Sequence, residues 1–98
     1  MGISNTSHVN MVIASVIDIC KRFGVKTVIL FGSRATGLAV EKSDIDIAIQ
    51  GGEINLASIV NETEKIPSLL SVNIVELSET SGNLRKDIES HGKLLYKA

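Results

Sequence analysis

Apolar residues at Val9, Val12, Ile13, Val16, Ile17, Cys20 and Phe23 recur at three- and four-residue intervals, the spacing that turns one stripe of a helix toward a core. Gly24 ends the pattern. Lys21 and Arg22 stand where the negative end of the helix dipole favours cations, and Asn5, Thr6 and Ser7 bring side-chain oxygens suited to the free N–H groups at the start. Val25 to Phe31, with its apolar run Val28-Ile29-Leu30-Phe31 between Gly24 and Gly32, predicts a strand buried on both faces. Gly32 to Ser43 predicts a loop with room for one helical turn. Asp44-Ile45-Asp46-Ile47-Ala48-Ile49-Gln50 opens with strict alternation of acid and apolar residue, so it predicts a second strand whose two acids share a face, ended by Gly51 and Gly52.

Leu56, Ile59, Val60 and Thr63 form a second helical stripe, running to about Lys65 before Pro67 forbids continuation. Leu70 to Leu77 predicts a third strand, Leu84, Ile88 and His91 a short helix closed by Gly92, and Leu94 to Tyr96 an edge strand. Helices and strands alternating in this order predict an α/β or α+β layer, with helices covering a small sheet.

Ninety-eight residues fit one domain spanning 1–98, and at 44% hydrophobic and 21% charged its composition is globular with a modest core. Ten basic against eleven acidic residues leave no positive field for a phosphate backbone, and 3% aromatics leave little to stack bases on, so general nucleic-acid binding is not expected. No apolar run reaches the roughly 18 residues that a membrane span needs. The first basic residue is Lys21, which is not a secretory start, and the lone Cys20 cannot form an internal disulfide. A soluble, cytoplasmic protein is expected.

The chemistry lies in Gly32-Ser33-Arg34-Ala35-Thr36-Gly37 and Ser43-Asp44-Ile45-Asp46. Where a buried strand gives way to a helical turn, Gly32 lets the backbone approach a ligand and Ser33 adds a hydroxyl beside free N–H groups, a corner suited to phosphate. Two familiar phosphate loops are excluded by spelling. Leu38 and Ala39 follow Gly37 where a Walker A loop needs Lys and Ser or Thr, and no G-x-G-x-x-G occurs. Ser33 directly follows Gly32, which excludes a nucleophile elbow. Asp44 and Asp46 leave one strand face with Cα atoms roughly 6–7 Å apart. Their repulsion is relieved by a divalent cation, and hard oxygen ligands with room for water and phosphate suit Mg²⁺. Each piece alone is a common surface feature; the strand, the Gly-Ser corner and the acid pair together are far more specific.

At these residues the sequence resembles the DNA polymerase β-like nucleotidyltransferase superfamily, whose pattern is Gly-Ser, a short spacer, then Asp-x-Asp at the head of a strand. The spelling Phe31-Gly32-Ser33-Arg34-Ala35-Thr36-Gly37 with Ser43-Asp44-Ile45-Asp46-Ile47-Ala48 is similar to the minimal nucleotidyltransferase (MNT) branch, as is the ending Glu89-Ser90-His91-Gly92-Lys93-Leu94-Leu95-Tyr96. The resemblance implies a small helix-covered mixed sheet and a nucleoside triphosphate, ATP, bound with Mg²⁺. It also implies transfer of a nucleotidyl group to an acceptor hydroxyl with loss of pyrophosphate. Gly32, Ser33 and Arg34 would meet the nucleotide, and Asp44 and Asp46 the metal. Members of the branch often work as the antitoxin half of a toxin–antitoxin pair, with a separately encoded HEPN-domain protein that they adenylylate.

The family places a third carboxylate on the next strand. In Ser71-Val72-Asn73-Ile74-Val75-Glu76-Leu77 the matching position holds Asn73, which can offer a carbonyl oxygen but neither charge nor a proton-accepting base. Glu76, three residues along a strand, falls on the other face unless a bulge intervenes. Three readings follow: a working enzyme with slow acceptor activation, a binding module that neutralises its partner by occlusion, or an engineered loss of the acid. Blander roles fit the rest. Thr36 satisfies the loop backbone, His8 and His91 lie at the surface, Glu62-Thr63-Glu64-Lys65 is a solvated helix end, and Tyr96 is a poor candidate for self-modification.

Overall fold

The computed structural model describes residues 3–98, with side chains from Ser7 onward. The chain order is α1 (Ile3–Arg22), β1 (Thr27–Phe31), α2 (Ser33–Thr36), β2 (Ile45–Gln50), α3 (Leu56–Thr63), β3 (Val72–Glu76), a 3₁₀ turn (Leu77–Glu79), α4 (Gly82–His91) and β4 (Lys93–Lys97). Every element expected from the periodicity is present. The first helix begins earlier than its apolar stripe suggests, so Asn5, Thr6 and Ser7 lie within it rather than ahead of it. Such polar residues cost about 0.5 kcal/mol each relative to alanine in a helix, less than continuing the hydrogen-bond ladder returns. The capping role expected of the Asn5 and Thr6 side chains falls outside the described residues.

The strands form one mixed sheet in the order β3-β2-β1-β4. β1 runs antiparallel to both β2 and β4, and β2 runs parallel to β3. Because side chains alternate along a strand, the sheet has two different faces. Ile45, Ile47 and Ile49 of β2 join Val28 and Leu30 of β1 on one face, under Val12, Val16, Ile19 and Cys20 of α1 and Ile59 of α3. On the other face Phe31 and Ala48 pack with Leu77 and with Ile88 of α4. The strand expected to be buried on both faces is buried on the α1 side at Val28 and Leu30, whereas on the other face only Phe31 is buried and Thr27 and Ile29 are half-buried. Full burial of each such isoleucine contributes about 1.5–3 kcal/mol.

Three local devices terminate the elements. Gly24 closes α1 with φ +79°, a left-handed conformation that glycine adopts freely. The Asn55 side chain accepts a 3.1 Å hydrogen bond from the Ser58 N–H and caps α3. At Gly92 a Cβ would strike the Ile88 carbonyl oxygen, so α4 turns into β4 only with glycine there. Cys20 is wholly buried among the α1 stripe, and burial pushes its thiol up to about 11. A test follows from that burial. Alkylation of folded protein by iodoacetamide at pH 8 is expected to proceed only at the rate of global opening, followed by intact mass; rapid labelling would show that α1 does not sit on the sheet.

Candidate functional site

β1 delivers the chain to Gly32, whose φ of 75° and ψ of −157° fall in a region open essentially to glycine alone. A Cβ there would also collide with Oδ2 of Asp46. Backbone conformation and close approach thus demand glycine independently. One helical turn follows: the Gly32 carbonyl accepts from the N–H groups of Ala35 and Thr36 at 3.1 and 3.2 Å. Gly37, at φ 81°, closes α2 with its N–H on the Ser33 carbonyl. The N–H groups of Ser33 and Arg34 open this turn, where helical geometry provides no partner behind them.

Arg34, expected at the nucleotide, is engaged by the loop that leads to Asp44. Its Nε and Nη2 donate to the Ser43 carbonyl at 3.0 and 2.8 Å, and Nη2 donates further to the carbonyls of Glu41 (3.2 Å) and Val40 (3.5 Å). The Ser43 hydroxyl accepts from the Val40 N–H at 2.9 Å. The loop leading to Asp44 is thereby folded back onto α2, and Arg34 holds it there. Five donors on a planar fork suit such carbonyl gathering as well as they suit phosphate. Residue type alone does not separate the two uses.

The register across the sheet brings the acids together. Asp46 stands opposite Phe31 in β1 and beside Asn73 in β3. Asp44 directly precedes β2 and is exposed; Asp46 is half-buried. Both carboxylates reach the same amide: Asn73 Nδ2 donates to Asp44 Oδ2 at 3.2 Å and to Asp46 Oδ1 at 3.1 Å. Ionised carboxylates only accept, so the nitrogen of the amide is the atom that must face them. The acids are convergent, as expected from their spacing. Glu76 pairs with Ile49 and alternates away from Asn73, without a bulge, so it does not stand in for the third acid.

Two carboxylates and an amide form an exposed, acceptor-rich site that suits a hard cation completing its shell with water or phosphate oxygens. Among the described residues no three or more His, Cys, Asp or Glu are grouped to hold a metal. A concavity of about 720 Å³ is lined by His8, Val9, Glu41, Lys42 and the 67–70 segment, and none of the expected site residues lines it. Arg34 lines a smaller concavity of about 460 Å³ and Asn73 another of about 320 Å³, and Asp44 itself is exposed.

The remaining side chains take structural places. Thr36 Oγ1 donates to the carbonyls of Gly32 and Ser33 at 3.4 Å. His8 Nε2 and the Ser68 hydroxyl are hydrogen-bonded at 2.8 Å, and His91 Nδ1 lies 3.1 Å from Asp87. Lys65 donates to Glu62 at 2.7 Å, and this bond with its charge holds the Glu62 carboxyl below the usual range. Tyr96 lies under the Lys21 ammonium, 5.1 Å from its ring centroid. Sequence reasoning missed the Arg34–Ser43 clamp, which depends on how the 34–43 loop folds back, and the bridging orientation of Asn73, which depends on a strand neighbour far along the chain.

Residues 14–98 match the family model described as polymerase beta, nucleotidyltransferase. No curated protein matches this chain. Among solved structures, a toxin–antitoxin chain with AMP-PNP is 24% identical with a TM-score of 0.72, over 87% of this chain and 73% of that one. A putative nucleotidyltransferase from Sulfolobus solfataricus is 22% identical, TM-score 0.62, over 97% and 86%. A tri-AMPylated HEPN toxin of Shewanella oneidensis in complex with its MNT antitoxin gives a match 22% identical, TM-score 0.56, over 100% and 74%. These likenesses show a shared fold.

The geometry makes two expectations. Gly32→Ala should displace the Asp46 side chain and lower the melting temperature by about 4 °C or more, because the added Cβ meets the carboxylate and the backbone there is open essentially to glycine. Arg34→Ala should speed amide hydrogen exchange across residues 40–44 while leaving exchange in β1 and β2 slow; unchanged exchange in that loop would show that the clamp does not hold it.

Proposed function

Because the chain belongs to the polymerase beta nucleotidyltransferase family, we propose that it transfers AMP from ATP to a hydroxyl of a separately encoded HEPN-domain partner, acting as that toxin's antitoxin. The observation that carries this reading is the convergence of Asp44 and Asp46 on one sheet face against the Gly32 corner. The fold shared with antitoxin chains, one of them in complex with a tri-AMPylated HEPN toxin, supports the choice of acceptor. So does the openness of the site: with Asp44 and Asn73 exposed, a bound nucleotide is left for a large acceptor to cover.

The donor set fits one divalent cation, since Mg²⁺ is held by one or two carboxylates together with substrate phosphates. Asp44 and Asp46 hold it, and Gly32 and Ser33 cradle the terminal phosphates with backbone N–H groups and the Ser33 hydroxyl. When bound, the ion offsets phosphate charge and favours the departing pyrophosphate. The acceptor oxygen forms its bond to the α-phosphorus as the bond from that phosphorus to the β-phosphate oxygen breaks. The hydroxyl proton passes to the departing pyrophosphate, because the Asn73 amide takes none. Arg34 keeps the loop before Asp44 in place.

The Asn73 bridge favours a second reading, in which the domain keeps the fold and nucleotide affinity but neutralises its partner by occlusion. One experiment separates the two. Incubation with ATP, Mg²⁺ and the HEPN-domain protein, followed by intact-mass analysis, is expected to show AMP added to the partner. Asp44→Asn and Asp46→Asn should abolish the addition, and Asn73→Asp should quicken it about 10²-fold or more, the usual contribution of a positioned base. A stable complex with no mass gain, in wild type and in Asn73→Asp alike, would establish occlusion instead.

A further inference from the structure

The four oxygens of the acid pair are not equivalent. Asp44 Oδ2 and Asp46 Oδ1 are both taken by the single nitrogen of Asn73, on the side of the pair toward β3. Asp46 Oδ2 instead faces Gly32, near enough to exclude a Cβ there, and Asp44 Oδ1 has no hydrogen-bond partner among the described residues. One side of the pair is therefore occupied by an amide that donates two hydrogens. The other side, with Asp46 Oδ2 and Asp44 Oδ1, carries no amide and faces the Gly32 corner.

Two like charges this close are held apart by repulsion unless something positive or hydrogen-donating lies between them. Across β3 that something is the partial positive charge of the Asn73 amide. An aspartate at the same position would set three carboxylates against one another and require a further cation. We infer that Asn73 is a positioning residue that stands in for a cation: the domain takes a single divalent ion, on the Gly32 side of Asp44 and Asp46, and keeps this pair convergent with no ion bound. The inference rests on the divalent-ion reading above, yet the two fail separately. AMP transfer with two ions bound would sink the stand-in and leave the activity, whereas one bound ion without transfer would sink only the activity.

Ion count and cation-dependent stability provide the test. Wild type and the variants Asn73→Asp and Asn73→Ala are titrated with Mn²⁺ in the presence of a non-hydrolysable ATP analogue, free Mn²⁺ being read by electron paramagnetic resonance. All three are then melted without nucleotide in EDTA and in Mn²⁺. Wild type is expected to bind one ion per chain and to melt cooperatively in EDTA. Asn73→Asp should bind two ions and, in EDTA, melt lower than wild type by about 5 °C or more, with Mn²⁺ restoring the difference. Asn73→Ala should show the same cation-reversible loss while still binding one ion. A merely structural amide would give losses that Mn²⁺ does not restore. Two ions on wild type, or variants in EDTA as stable as wild type, would overturn the inference; should Asn73→Asp fail to fold under any condition, the wild-type count and the Asn73→Ala melts decide.

Discussion

The register that sets Asp46 between Phe31 and Asn73 is the constraint on which the site depends. A slip of one residue between β1 and β2 would carry Asp46 to the face under α1 and α3, where a carboxylate would be buried without a partner. The isoleucines at 45, 47 and 49 forbid that slip, since all three are fully buried and would be driven to the opposite face. Hydrophobic burial on one side of the sheet thus fixes charge on the other. The acids are held by the burial of side chains on the opposite face of the sheet.

Most of this fold was legible from periodicity because each element shows its own repeat. The 3.6-residue stripe of α1, the alternation of Asp44 to Ile49 and the breaks at Gly24, Gly32 and Gly51 are local signals with local causes. The acid pair was legible for the same reason, since two-residue spacing on a strand decides the face. What could not be read was pairing. Nothing along the chain says that Arg34 reaches the Ser43 carbonyl, for a guanidinium serves carbonyl and phosphate acceptors alike. The start of α1 was misjudged because capping residues also tolerate a helical interior when the ladder can be continued.

Asn73 is where local and tertiary information part company. The resemblance sets it at the place of the family's third acid, and read alone it implies a loss of charge and of a base. In the sheet it has a positive content: an amide with two donors meets two groups that can only accept. Loss of the acid and gain of the bridge are one substitution, so an account that counts only the missing carboxylate misstates the electrostatics. Three acids around one point need cations to coexist; two acids and an amide need none.

The same trade bears on why the site is open. A buried acid pair would require its compensating charge at all times, because desolvation makes an unmatched carboxylate costly by several kcal/mol. Here solvent reaches Asp44 and Asn73, and the Asn73 bridge relieves the nearest repulsion, so the folded state does not wait on a ligand. The cost of that arrangement is a weak local field: water screens exposed charges, and electrostatic stabilisation of a reacting phosphate is strongest where water is excluded. On the proposed reading, water is excluded by the acceptor protein itself as it closes over the sheet end. Docking and chemistry then become one event, in which the partner supplies the dielectric that this small sheet, with helices only behind and beside its acids, leaves unprovided.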